Sequence, residues 1–219
     1  MNQQSSLWAD AWRRLLANKA AVTGGFILCL FIILAILAPW IAPHSYSYQN
    51  LDLGAQAPSL DFLMGTDTLG RDVFSRILYG ARISLMVGFL ATGVALVIGV
   101  SWGMIAGYFG GRVDSIMMRI VDVLYGLPFI IFIILLMVIV GRNIWLLFGA
   151  IGAVEWLTMS RIVRGQVLSI KTQEYVLAAQ AMGVSNFQMF RKHIFPNILG
   201  PIAVYATLTI PQVMLLEAF

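Results

Sequence analysis

Four stretches of this sequence run without a charged side chain: Val22 to Ile41, Ile83 to Gly111, Val123 to Gly141 and Ile194 to Leu216. A helix needs about 20 apolar residues to cross a hydrocarbon core roughly 30 Å thick, and each stretch is close to that length or beyond it. A fifth candidate, Asn143 to Ser160, is interrupted by Glu155. The last stretch contains Pro196, Pro201 and Pro211, which membrane helices tolerate better than soluble ones. Composition agrees with a lipid solvent. Hydrophobic residues make up 60% and charged residues 11%, against about 25% charged in soluble domains. This excludes an ordinary soluble enzyme and a disordered chain. The single cysteine, Cys29, excludes an internal disulfide. The expected fold class is an all-α integral membrane protein, a polytopic helical bundle with five spans.

The first apolar block is longer than the core of a signal peptide, and no small-residue cleavage site follows it promptly, so it reads as a retained span. Orientation follows from the basic residues. With the amino terminus in the cytoplasm, the inner segments carry Arg13, Arg14, Lys19, Arg112, Arg119, Arg161, Arg164, Lys171, Arg191 and Lys192. The outer ones carry only Arg71, Arg76, Arg82 and Arg142. Positive charge concentrates on the cytoplasmic side of membrane proteins. The net charge of +4 is therefore orienting charge rather than a nucleic-acid footprint.

The expected organisation runs in four parts: residues 1–20, an interfacial helix; 21–41, the first span; 42–82, an extracytoplasmic loop; 83–219, a membrane core with a cytoplasmic loop at 171–196. In the first part Leu7, Trp8, Ala11, Trp12, Leu15 and Leu16 share one helical face, opposite Asp10, Arg13 and Arg14, with Ser6 placed to cap.

The cytoplasmic loop predicts helix, sharp turn, helix. Glu174 to Met182 favours a helix, Gly183 suits a stop with positive φ, and Ser185 followed by Gln188 fits a capping box. Ala178, Ala179 and Ala181 leave little bulk near the turn, so another protein's backbone has room to approach. A generic basic connector has the same composition. In the outer loop, Asp67 with Arg71 and Asp72 with Arg76 are spaced i, i+4, as self-satisfied pairs or as part of a docking or gating surface. Arg119 and Asp122 are spaced i, i+3 as a boundary pair. Glu155 inside a span costs several kcal/mol unless it is paired or faces water, which points to a passage-lining, bundle-internal or subunit-contact role. No phosphate-binding G-x-x-x-x-G-K-[ST] loop occurs, and no nucleophile–base set can be assembled. His44 and His193 are predicted on opposite sides of the membrane, so they share no metal.

The segment KTQEYVLAAQAMGVSNFQMFRKHIFPN (Lys171 to Asn197) resembles the EAA loop of the membrane subunits of ABC importers that depend on a binding protein. Aligned on Gly183, the alanine pair falls on Ala178 and Ala179 and the proline on Pro196. Leu177, His193 and Phe195 depart from the pattern, and Glu174, one turn earlier, is the candidate for the missing acid. GTDTLGRDVFSRILYGARISL (Gly65 to Leu85), AGYFGGRVDSIMMRIVD (Ala106 to Asp122) and MSRIVRGQ (Met159 to Gln166) extend the likeness to nearly the whole chain. It is closest to the C-type permease of the oligopeptide and dipeptide branch.

The resemblance implies a bacterial inner-membrane permease, not itself an enzyme, that moves short peptides. It implies coupling to an ATPase through Glu174, Ala178, Ala179, Gly183, His193 and Pro196. The implied partners are a homologous second permease, two cytoplasmic ATP-binding subunits that hold ATP and Mg, an extracytoplasmic peptide-binding protein and membrane lipid. No cofactor or metal is expected on this chain. Related substrates such as nickel or glutathione, an ion-gradient-driven transporter and a membrane-embedded enzyme are the competing readings. The family normally continues through a sixth span, so Phe219 is expected to fall one span short of the family's end.

Overall fold

The computed structural model describes residues 7–128, 131, 135, 138, 139, 141 and 144–217. The expected capping residue Ser6, part of the expected span from Val123 to Gly141, and Arg142 lie outside the described residues. The described residues are helical apart from the 42–72 loop and short turns. Contacts divide the chain into two units, 1–85 and 86–219.

In the first unit, α1 (Leu7–Ala17) is followed directly by α2 (Lys19–Ile41). Asn18 separates them: its side chain accepts a hydrogen bond from the Ala21 N–H at 3.2 Å and so caps α2. Trp12, Leu15 and Leu16 of α1 are exposed. Nearly all of α2 is exposed and apolar, while Ala35 and Ala38 are buried. The 42–72 loop is tied by hydrogen bonds. Thr66 Oγ1 accepts from the Gln56 N–H at 2.9 Å and donates to the Gly54 carbonyl at 2.7 Å, and the Asn50 N–H donates to the Leu69 carbonyl at 3.1 Å. Gly65 (φ +72°) and Gly70 (φ +68°) make the approach feasible. A Cβ on Gly65 would run into the Gln56 carbonyl oxygen, and one on Gly70 into that of Asn50.

α3 (Val73–Phe109) starts in the first unit and ends in the second. It begins well before the charge-free run at Ile83, because the loop's last residue, Asp72, caps it. At 37 residues it is about 55 Å long. The second unit continues with α4 (Gly111–Tyr125), α5 (Ile144–Lys171), α6 (Glu174–Ala181), α7 (Asn186–Gln188), a π-helical turn (Met189–Ile194) and α8 (Phe195–Glu217). Among the described residues, three helical stretches are long and apolar enough to span a membrane: Lys19–Ile41, Val73–Phe109 and Asn186–Glu217. The stretch expected to form the fourth span is the 28-residue helix α5, in which Glu155, Arg161 and Arg164 dilute the apolar character.

The core of the second unit is a seam between α3 and α5. Gly99, Gly103 and Gly107 recur every fourth residue on α3, in line with buried Ala91 and Ala95. A Cβ on Gly99 would lie 2.6 Å from Met159 Cβ; on Gly103, 2.8 Å from Val163 Cβ; on Gly107, 2.9 Å from Val167 Cβ. Gly152 of α5 reciprocates against Val94, at 2.9 Å. Small residues at this spacing let helix backbones meet in a medium where burial of apolar surface gives no drive between helices. Beside the seam, Trp102 packs edge-on against Trp156 and donates its indole N–H to the Met117 carbonyl at 3.2 Å.

One matched pair of substitutions tests the seam. Gly103→Ala places a methyl against the Ser160 carbonyl and Val163, an overpacking that costs about 1–3 kcal/mol. Gly93→Ala meets nothing within 4 Å. In thermal unfolding of the detergent-solubilised protein, Gly103→Ala should lower the midpoint by several degrees and Gly93→Ala should leave it unchanged. Equal midpoints would remove the seam from the account.

Candidate functional site

The elbow between α5 and α8 has the predicted helix–turn–helix form, with a stop and a start that can be read bond by bond. Gly183 adopts φ +76°, its N–H donates to the Gln180 carbonyl at 2.9 Å, and the Val184 N–H donates to the Ala179 carbonyl at 3.2 Å. This is the Schellman arrangement, which consumes the free carbonyls of a helix end. The Ser185 hydroxyl then accepts from the Gln188 N–H at 3.4 Å and starts α7. His193 is half-buried in the π-helical turn, its carbonyl accepting from Asn197 Nδ2 at 2.7 Å, and Pro196 is exposed in the first turn of α8.

The elbow has an inner and an outer face. Val176, Ala179, Met189 and Ile194 are buried against Met159, Val163 and Val167 of α5 and Ile198 and Ile202 of α8. Glu174, Tyr175, Leu177, Ala178, Met182 and Phe187 are exposed, the last two at 76% and 73%. The alanine pair is therefore split. Ala178 is open to an approaching surface, whereas Ala179 is covered by its own chain, because consecutive helical residues point about 100° apart.

Three residues to which the sequence pattern assigns no role at the elbow, Tyr108, Asn186 and Lys171, fasten it. Tyr108, near the end of α3, donates its hydroxyl to Asn186 Oδ1 at 2.8 Å and packs its ring 4.6 Å from that of Phe190. Lys171, the last residue of α5, donates to the Tyr108 carbonyl at 2.5 Å, a cation on the terminal carbonyls of α3. No local spacing pattern links Tyr108 to Asn186, 78 residues away.

The basic residues of α5 tie α4 to it. Arg164 makes a two-pronged pair with Asp114, at 2.5 and 2.6 Å, and Arg161 pairs with Asp122 at 2.8 Å while lying 4.4 Å above the Tyr125 ring. The expected Arg119–Asp122 pair does not form. Asp122 is taken by Arg161 across the helix interface, and Arg119 is exposed. Glu155 is buried, 5% exposed, within α5.

In the outer loop, the Asp67 pair forms and the Asp72 pair does not. Asp67 Oδ1 accepts the N–H groups of Leu69 and Arg71 at 2.9 and 3.0 Å. Its Oδ2 accepts Arg71 Nε at 2.7 Å and lies 3.7 Å from Arg76 Nη1. Desolvation pushes the Asp67 carboxyl upward, but these donors outweigh it, so the group titrates below the ordinary carboxylate range. The turn's bonds to it are complete above that range and are lost as pH falls through the lowered value. Asp72 instead points inward, fully buried. Its Oδ2 accepts the Ser75 N–H at 3.0 Å and the Ser75 hydroxyl at 2.5 Å, with His44 Nδ1 3.7 Å away. Capping the free N–H groups of a long helix outcompetes an exposed ion pair worth a few tenths of a kcal/mol. Among the described residues, no group of three His, Cys, Asp or Glu side chains is placed to hold a metal.

Residues 99–219 match the family described as binding-protein-dependent transport system inner membrane component, and residues 6–58 match the N-terminal TM domain of oligopeptide transport permease C. A dipeptide transport system permease protein, DppC of Bacillus subtilis (strain 168), is 50% identical over 96% of this chain and 66% of its own length. The oligopeptide transport system permease proteins OppC of Bacillus subtilis (strain 168) and Escherichia coli (strain K12) are 47% and 46% identical, each over 98% of this chain and over 70% and 72% of their own lengths. The chain thus spans about two thirds of the length of these relatives. It belongs to the family of inner membrane components of binding-protein-dependent transport systems.

Proposed function

We propose that this chain is the membrane-embedded permease subunit of an ATP-driven importer of short peptides, and that the 171–196 elbow converts the motion of a cytoplasmic ATPase into movement of α5 and α8. The observation that carries this reading is the two-faced elbow. Its inner face is buried against the helices it joins, and its outer face presents Tyr175, Leu177, Met182 and Phe187 to solvent. Exposed apolar side chains beside Glu174 and Ala178 suit a protein partner. A rigid inner face passes a push from that partner to both helices, in the manner of rigid-body switching.

Within this proposal the chain makes five spans, α5 and the 123–141 segment included, with its amino terminus in the cytoplasm of a bacterial cell and its membrane location the inner membrane. It forms half of a translocation path, completed by a homologous second permease. Two ATP-binding subunits hold ATP and Mg. An extracytoplasmic binding protein delivers peptide to the outer loop, where the Asp67, Arg71 and Arg76 group offers the charged surface. Asp72, being buried, contributes by fixing the start of α3. Glu155 and Tyr205 supply polar groups inside the bundle. Gly183, His193 and Pro196 shape the elbow, while Glu174 and Ala178 meet the ATPase. The names of the relatives support a peptide substrate. A glutathione transport system permease, GsiD of Pectobacterium atrosepticum, is more distant at 35% identity.

Gly183 gives the sharpest test. A Cβ there meets nothing within 4 Å, so substitution acts only through the left-handed backbone. Gly183→Val should cost about 1–2 kcal/mol in turn geometry and depress ATP-dependent peptide uptake at normal membrane abundance, whereas Gly183→Asn, which tolerates φ > 0, should keep most of it. Normal uptake by the valine variant would refute the coupling role. Energy source gives a second test. Uptake into cells expressing the complete system should stop on ATP depletion and survive collapse of the ion gradient, and the reverse pattern would point to a secondary transporter.

A further inference from the structure

A hollow of about 360 Å³ opens on the outer loop, lined by Tyr46, Ser47, Gln49, Arg71, Arg76, Tyr79, Gly80 and Ile83. Its volume lies in the range of small-ligand sites, roughly 300–1,000 Å³. All of its lining comes from the first unit: the 42–72 loop supplies one side and the first turns of α3 the other.

The charge in this hollow is unbalanced. Arg71 and Arg76 both turn to one carboxylate, Asp67, at 2.7 and 3.7 Å, so two guanidinium groups share a single negative charge. Asp67 is not in the lining, and none of the lining residues is acidic. Asp72, the other nearby acid, is turned away as the α3 cap. One positive charge therefore faces the hollow uncompensated. Arg76 is the freer of the two, its side chain 40% exposed and its contact with Asp67 the longer. In the same lining, the Tyr46 and Tyr79 rings lie 4.6 Å apart at 32°, and Tyr79 and Ile83 follow Arg76 at i+3 and i+7 on α3, an aromatic and aliphatic wall beside the guanidinium. Gln49 and Ser47 add neutral donors and acceptors.

A planar, always-charged donor beside an aromatic and aliphatic wall is the chemistry that takes a carboxylate attached to an apolar side chain. We propose that this hollow is a receptor for the free C-terminal carboxylate of a short peptide, with Arg76 as the primary anion donor, Arg71 as its support and the Tyr46–Tyr79 wall receiving the last side chain. Naming a peptide rests on the importer reading above; the preference for a carboxylate rests on the charge count alone. The size of the hollow favours a terminal residue with its carboxylate over one acidic side chain from a docking protein, which would fill only part of it.

The experiment measures binding of the dipeptide Ala-Tyr and of its C-terminal amide to the full chain in lipid nanodiscs, by saturation-transfer NMR without ATP. The free acid should bind about tenfold more tightly than the amide, as the loss of a charge-assisted contact requires. Arg76→Gln should weaken the acid about tenfold, leave the amide unchanged and so abolish the discrimination. Arg82→Gln, on the same helix but outside the hollow, should preserve it. If Arg76→Gln loses its helical circular dichroism, Arg76→Lys replaces it, and the discrimination should then shrink without vanishing.

Equal binding of acid and amide to the native chain, or discrimination that persists in a folded Arg76→Gln or is undiminished in Arg76→Lys, overturns the proposal. So does a native chain without discrimination whose Arg76→Gln form loosens the delivering protein, which would assign the hollow to that protein's acidic group. Discrimination that is lost in Arg76→Gln supports the receptor even if ATP-driven uptake is absent, and in that case only the importer reading falls.

Discussion

The second unit rests on one steric condition: the absence of a Cβ where α3 meets α5. Each glycine of the Gly99, Gly103 and Gly107 row stands where even an alanine methyl would lie within 3 Å of a backbone or Cβ atom of α5. In water, apolar burial would draw two such helices together with imperfect packing. Lipid tails compete equally for apolar surface, so contact must be won by dispersion between closely fitted backbones. The close approach also sets the positions of everything anchored on α5. Arg161 and Arg164 reach α4, and Lys171 reaches the last carbonyls of α3, only because the two long helices are in register along this seam.

Onto that seam the polar contacts add direction. A charged pair on the flank of a membrane bundle is most useful when its partners are held by hydrogen bonds at both prongs, and Arg164 with Asp114 has that geometry. Arg161 combines an ion pair with an aromatic face. Together they make α4 follow α5. At the other end, Tyr108 is bound by a tilted ring contact and a hydrogen bond to the elbow and through its carbonyl to Lys171. The ends of α3 and α5 and the start of α7 are therefore fastened at one point.

What could be read from the sequence divides along a physical line. Features set by local backbone demands were legible. The positive φ at Gly183, the cap at Ser185 and the amphipathic helix before Asn18 each depend on a few neighbouring residues, and each is present. Charge-free length located three apolar helices among the described residues for the same reason. Features decided by competition between distant partners were not legible. The spacing of Asp72 and Arg76 permitted a pair, but the unsatisfied N–H groups at the start of a 37-residue helix had a stronger claim on that carboxylate. The spacing of Arg119 and Asp122 permitted another, and Arg161, 39 residues along the chain, took its acid. The splitting of Ala178 from Ala179 follows from which face of α6 is covered, which the motif spacing does not state. The glycine row stands in the sequence at every fourth position, but inside a long apolar run that spacing does not say which helix the row meets.

The π-helical turn at Met189–Ile194 follows from the same logic. A chain leaving the short surface helix α7 must enter α8 with Ile194 and Ile198 directed into the core formed by Met159, Val163 and Val167. A regular α-helical turn advances each residue by about 100°, and the wider π turn spends an extra residue to re-aim those that follow. Met189 and Ile194, at the two ends of the turn, are both fully buried, while Arg191 and Lys192 between them remain exposed. The turn therefore changes the heading of the chain without giving up burial at either end. For the proposed coupling role this matters more than flexibility would. A soft connector would absorb a displacement applied to the exposed face of α6, whereas a turn pinned at both ends by buried side chains passes it on to α8.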